Sequence, residues 1–409
     1  MMKINGSLLI ATLVVLLTSC NTGNQNNPNS KDSSTITDSA NTVKLQLVTR
    51  NVHFPVEVKP APDATHRLFI AETRGQILIL KNGILSPTPF LDISSKLEQK
   101  DSAPDVRVMY SMVFSPQFEQ NRKFYVCYNA PTKIDSNTSK LVVSEFTANA
   151  GNTDIADLGS ERRVFEVEGH FIFRDPCEMM FGPDGYLYIS VGDNGTPMKL
   201  RKAEDLNSYQ GKLLRIDVST LPYKVPADNP FVLTKNARPE IWAYGLRRLW
   251  RFTYDKETKT FIGGDIGDKL REEVDTLTKG GNYGWPFIEG DSVRVGNDSL
   301  TGKKFITPIA AYGHKDGICV IGGNIYRGKE IAYLQGRYFF ADFNGSLFTL
   351  SKNKMGSWIR QQLTILNKSK DPFLINSINV DENNEIYLCG VLNTDAGTKG
   401  AVFKLVKAF

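Results

Sequence analysis

From Lys44 onward the apolar residues arrive in short runs, and long helical periodicity is scarce. A run of aromatic and β-branched residues is followed by a turn carrying Gly or Asp, then by a second apolar run, the pattern of paired strands. RLFIAETRGQILIL (67–80), YLYISVGDNG with GKLLRIDV (186–195, 211–218), YFFADFNGSLFTL (338–350) and EIYLCG with GAVFKLV (385–390, 400–406) share this phrase. KFYVCYN at 123 and TFIGGD at 260 fit the same slot. With Phe69, Phe124, Tyr186, Phe261, Tyr338 and Ile386 as markers, the phrase recurs on average every 63 residues or so, about the length of one four-stranded blade with its loops. Six such repeats predict an all-β fold, a six-bladed β-propeller, as a single domain over 44–409. A large β-sandwich, or two of them, is the alternative. An early strand at Lys44–Val48 is expected to complete the last blade and cover its edge.

The first residues follow a different rule. In MMKINGSLLIATLVVLLTSC, Lys3 precedes an apolar run of ten residues, Leu8 to Leu17. A membrane-spanning helix needs about 20, so the run reads as a cleaved export signal. Its end, Leu17-Thr18-Ser19-Cys20, resembles a bacterial lipobox. We therefore expect a lipoprotein signal peptide at 1–19 and a lipidated Cys20. Residues 20–43, rich in Asn, Ser and Thr, read as a flexible tether. This implies an exported, membrane-anchored bacterial lipoprotein of the cell envelope.

Charge and cysteine content narrow the chemistry. Lys and Arg total 49 against 44 Asp and Glu, a net charge of +5 that supplies no single-sign field for nucleic acid. No CxxC or CxxCH spacing occurs among the five cysteines, which removes zinc-ribbon, thioredoxin-like and covalent haem readings. Cys127, Cys319 and Cys389 sit in apolar runs and are expected as free thiols.

Four phrases are specific beyond composition: FGPDGYLYISVGD (181–193), EDLNSYQGKLLRIDV with PADNPF (204–218, 226–231), EIWAYGLRRLWRF (240–252), and EEVDTLTKGGNYGWP (272–286) with ICVIGGNIYRG (318–328). Pro183-Asp184-Gly185 is a strand-joining turn. The glycine-rich loop 280–286 lets backbone approach a flat ligand while Tyr283 and Trp285 cover it; equally, the two rings pack between strands. In order and content these phrases resemble the soluble glucose/sorbosone dehydrogenase family, whose relatives include Hedgehog-interacting-protein-like propellers. The resemblance runs from about residue 50 to 406.

The resemblance implies a quinoprotein oxidoreductase that oxidises an aldose or related alcohol with pyrroloquinoline quinone (PQQ) and calcium. It implies calcium on the backbone carbonyls of Gly267 and Asp268, in a segment that also carries Asp265; Asp268 stands where the family can carry Pro. It implies cofactor contacts from Arg247, with Arg248 in place of a family Asn, and from Tyr283 and Trp285. At the family's catalytic His position this chain has Arg174, followed by Asp175. Arginine does not give up its proton near neutral pH and is no general base. Val106 replaces a family Gln or Glu. His170, Asp175 and Glu178 are the neighbouring groups available to substitute, whereas His314 in YGHKDG reads as structural. The alternatives are a catalytically degenerate propeller binding a carbohydrate, an acidic ligand or a partner protein, and a calcium-dependent lactonase-like hydrolase.

Overall fold

The computed structural model describes residues 41–97, 108–132, 139–169, 177–195, 201–294, 300 and 302–409. Cys20, Val106, His170, Arg174 and Asp175 lie outside the described residues, as does the signal segment. Within them, the repeated phrase is a strand–turn–strand unit. Phe69, Phe124, Phe261, Tyr338 and Ile386 lie in strands Leu68–Glu72, Lys123–Pro131, Thr260–Asp265, Tyr338–Asp342 and Ile386–Thr394, and Tyr186 directly precedes Leu187–Val191. Each of these strands is second from an end of its sheet.

Among the described residues three sheets have four strands, one has five, one has two and one has eight. In the eight-stranded sheet Thr42–Thr49 lies between two runs. It pairs parallel with Trp358–Ile365 (Thr42 with Thr364) and antiparallel with Gly397–Lys407 (Lys44 with Val406). The strand expected at 44–48 thus covers an edge that would otherwise present unpaired backbone groups. The result is an all-β, propeller-like fold.

The inner strands are buried along nearly their whole length, Leu68–Glu72, Leu187–Val191 and Tyr338–Asp342 at every residue, as strands covered on both faces are, and aromatics fill the space between neighbouring sheets. Phe69, Phe90 and Phe124 are fully buried, with ring centroids 4.8 Å apart for both Phe69–Phe90 and Phe90–Phe124. Burying each such ring contributes about 1.5–3 kcal/mol. One guanidinium ties the first strands of three sheets to the residue that leads into the first strand of a fourth. Buried Arg251 donates to Glu57 Oε1 (3.2 Å), Glu178, Val56 O and Tyr110 O (3.3 Å). Cys127, Cys177 and Cys389 are buried, Cys319 is half-buried, and all four are free. No helix among the described residues is long and apolar enough to cross a membrane.

Candidate functional site

Register brings the chemistry to one end of one sheet. Leu249, opening strand Leu249–Asp255, pairs with Asp265, and Asp265 pairs with Glu273. The Gly245–Arg248 lead-in and the 266–271 loop therefore meet there. Gly245 has φ +72° and sits so close to the 282–284 backbone that a Cβ would lie 2.2 Å from Asn282 Oδ1. Only glycine fits that crossing.

Asp265 anchors both arginines, accepting the backbone N–H of Arg247 (2.8 Å) and of Arg248 (2.5 Å). The Arg247 guanidinium then turns onto the loop. Nη1 donates to Ile266 O at 3.0 Å and to Gly267 O, and Nη2 donates to Asp268 Oδ1 at 3.2 Å. It also lies 5.2 Å from the Trp285 ring centroid, and Arg294 lies 4.8 Å from the same ring. Trp285 Nε1 donates to Asp193 Oδ2 (2.8 Å), and Arg248 Nε is 3.9 Å from Asp193 Oδ1. Arg247, Arg248, Asp265, Gly267, Asp268 and Trp285 thus form one constellation.

Tyr283 stands apart from it. Its hydroxyl donates to Thr276 O (2.9 Å) and accepts from Thr278 N (2.8 Å), and its ring is packed in a core cluster. The two aromatics of the loop divide: one packs, the other joins the arginines.

The loop is shaped by a buried carboxylate. Glu289 Oε1 accepts the N–H groups of Asp268 (2.7 Å), Lys269 (2.9 Å), Leu270 (2.8 Å) and Arg271 (3.1 Å). Burial alone would raise its pKa, but these N–H groups and Arg294 hold it below the ordinary range. Gly267 is required by close approach, since a Cβ there would fall 1.8 Å from Arg271 O. Arg294 closes the group by pairing with Asp268 Oδ2 (3.0 Å) and with Glu289.

Beside the arginines lies a second cluster. Glu273 and Asp275 are two residues apart on strand Glu272–Leu277 and so share a face, and Asp265 is the cross-strand partner of Glu273. Ligand oxygens of the three buried carboxylates lie within 4.8 Å of one another. Neither oxygen of Asp275 has a hydrogen-bond partner among the described residues. Burial, then the proximity of the other carboxylates, pushes the pKa of Glu273 and Asp275 far up; burial raises Asp265 to about 7. An all-oxygen, carboxylate-rich donor set with orphaned atoms fits a hard divalent cation such as calcium. Of the two carbonyls that the resemblance assigns to calcium, at Gly267 and Asp268, the Gly267 carbonyl does not, because the Arg247 guanidinium is bonded to it as well as to the Ile266 carbonyl.

The remaining candidates serve elsewhere. His314 Nε2 meets Glu272 Oε1 at 3.1 Å, and Glu272 Oε2 also accepts Val320 N (2.9 Å) and Gly267 N (3.2 Å), so the histidine braces the loop. Glu178 pairs with Arg251 and lies 3.5 Å from Lys59, beside a separate cavity of about 220 Å³. Burial raises its pKa to about 7 against the pull of Arg251. Sequence reasoning missed Asp193, Glu272, Glu273, Asp275, Glu289 and Arg294 as parts of the site. Asp193 and Glu272 end and begin two of the quoted phrases; Arg294 and Glu289 carry no pattern of their own.

A profile of the Glucose / Sorbosone dehydrogenase family matches residues 52–396. Among curated proteins, HIPL1 protein of Arabidopsis thaliana is 29% identical over 357 residues, covering 70% of this chain and 50% of its own. Human Hedgehog-interacting protein is 29% identical over 325 residues, covering 76% and 44%. Aldose sugar dehydrogenase YliI of Escherichia coli is 26% identical over 225 residues, covering 53% and 57%. The chain spans about half the length of the curated relatives it matches. The apo-form crystal structure of the soluble aldose sugar dehydrogenase from Escherichia coli aligns with TM-score 0.70 at 20% identity, covering 90% of this chain and 100% of that one. The PQQ-bound aldose sugar dehydrogenase of Streptomyces coelicolor aligns with TM-score 0.65 at 16% identity, covering 89% and 98%. On a family match over most of its length, the chain belongs to the glucose/sorbosone dehydrogenase family.

Proposed function

We propose that this protein is a quinoprotein-type oxidoreductase that binds PQQ at the Arg247–Trp285 constellation and takes an aldose sugar as substrate, with turnover limited by loss of the base. The carrying observation is the state of Arg247. Its guanidinium is fixed beside an indole ring, yet its buried Nε has no hydrogen-bond partner among the described residues. A ligand carboxylate satisfies such an orphaned donor and gains a charge-assisted bond.

When bound, PQQ supplies an ortho-quinone that accepts a hydride. Its three carboxylates call for cations, and Arg247 and Arg248 provide two. Trp285 offers a flat apolar face, held in place by Asp193. Calcium fits at Asp265, Glu273 and Asp275, where it neutralises carboxylates that otherwise repel one another. Deprotonating the sugar hydroxyl needs a base, and Arg174 cannot be one. A missing general base lowers the rate by about 10²–10⁴.

Arg174 also favours a second reading, a propeller that binds sugar or a partner protein without turnover. Its human relative is named for interacting with Hedgehog. Aldose-dependent dye reduction by the PQQ-loaded protein and by its Arg174→His variant separates the two. The oxidoreductase reading expects turnover to rise by at least tenfold in the variant; no turnover in either favours the binder.

Two further parts of the reading concern architecture and location. The eight-stranded sheet reads as two four-stranded blades joined edge to edge through the parallel Thr42–Thr364 pairing, which makes six blades. Residues 1–19 act as a lipoprotein signal, and Cys20 with the tether to residue 43 holds the propeller at a membrane surface.

A further inference from the structure

We propose that the Arg247 guanidinium is the resident cation of a cradle formed by the Ile266 and Gly267 carbonyls, the second of which is one of the two where the family resemblance puts calcium, so that this site receives an acidic ligand without a divalent metal there. The identity of that ligand rests on the reading above; the occupancy of the cradle does not.

The loop is built to face a cation. A trans peptide points its carbonyl away from the following N–H. With the N–H groups of 268–271 all gathered on Glu289, the carbonyl of Gly267 faces the other way, and Arg247 Nη1 is the donor that meets it. Arg247 is held to this position at both ends. Asp265 fixes its backbone N–H, while Asp268 takes Nη2.

Asp268 matters because it is a departure of this chain. A proline there would offer Arg247 no carboxylate and Arg294 none either, whereas Asp268 binds both guanidinia. Its charge is thereby committed to arginine. A calcium ion entering the cradle would find two neutral carbonyls, one shared carboxylate and a permanent positive charge, far short of the anionic oxygen set it selects. The guanidinium cannot be neutralised to make room. Its donors outnumber the bonds it makes to the loop, and the unpartnered Nε is left for the incoming acid.

Calcium stoichiometry tests the proposal directly. The full chain, stripped with chelator, is titrated with calcium by calorimetry alongside Arg247→Met, which keeps an apolar stem beside Trp285 and removes the charged head. Arg247→Met is expected to bind one more calcium per chain than the unaltered protein; equal numbers overturn the proposal. Asp275→Asn gives a second count that does not depend on the folding of the first variant. With Asp265, Glu273 and Asp275 no longer a complete set and the cradle still holding Arg247, submillimolar calcium binding is expected to vanish, and a calcium that persists overturns the proposal. PQQ titrated in chelator and in calcium then separates the two readings. Affinities within about twofold of each other support the proposal, and PQQ binding that requires calcium with Asp265, Glu273 and Asp275 already disabled overturns it. Should PQQ fail to bind under every condition, the functional reading falls, and the calcium counts still decide the cradle.

Discussion

Asp265 lies directly across the strand ladder from Glu273, two buried carboxylates in register on one face of a sheet, with Asp275 beside them. Like charges placed opposite each other destabilise a sheet. The cluster is tolerable in two states, protonated or holding a cation.

Asp275→Asn removes one ionisable group of the cluster while keeping the shape. In the metal-free protein at pH 8 it should raise unfolding free energy by about 1 kcal/mol or more, because the amide, unlike the buried carboxyl, has no proton to take up on folding. In saturating calcium the sign should reverse, because ligand binding to the native state no longer adds stability. Urea denaturation with and without chelator reads both; a variant that responds to calcium as the parent does would remove this cluster from the metal account.

The pH dependence has a definite sign. An Asp265 pKa raised to about 7 means that the native state holds a proton the unfolded chain releases near its ordinary carboxylate pKa. Stability is therefore greatest below that ordinary value and is lost as pH rises towards about 7. Glu178, also near 7, acts in the same direction. Metal-free protein should unfold at progressively lower urea between about pH 5 and 7, and calcium should flatten that slope. A slope that rises with pH over this window would mean that the carboxylates are ionised in the native state.

Gly267 supports the site by having no side chain. In Gly267→Ala the new Cβ would sit 1.8 Å from Arg271 O, against backbone that Glu289 holds rigid. We expect a loss of about 2–3 kcal/mol, the upper range for overpacking, together with loss of PQQ binding. Gly356→Ala is the control: φ is +83° but nothing lies within 4 Å, so only backbone strain of about 1–2 kcal/mol is expected, with binding intact. Equal PQQ affinities in the two variants would show that the loop does not shape the site.

The chain's periodicity carried the architecture, because short apolar runs and turn chemistry are local properties. The six markers fall on or next to equivalent strands for that reason. The resemblance also brought Arg247, Arg248, Asp265, Gly267, Asp268 and Trp285 to one place, since each belongs to a phrase with a fixed position in the fold. What local pattern could not separate was Tyr283 from Trp285. They are two residues apart in one loop with the same chemistry, and only packing decides that the tyrosine hydroxyl ends on the 276–278 backbone. Glu273 and Asp275 are visibly on one face from their spacing, but their meeting with Asp265 depends on cross-strand register. Arg294 reaches the site from a short strand pair beyond the loop, where neither period nor motif marks it.

If Arg247 grips an acidic quinone, removing its guanidinium must weaken the binding of PQQ. Equilibrium titration of the protein with PQQ, followed by quenching of tryptophan fluorescence and repeated with Arg247→Ala, tests it most directly. Saturable binding is expected, weakened about 10- to 150-fold in the variant, the worth of a charge-assisted hydrogen bond of roughly 1.5–3 kcal/mol. Binding of equal strength in both proteins, or no binding in either, would contradict it.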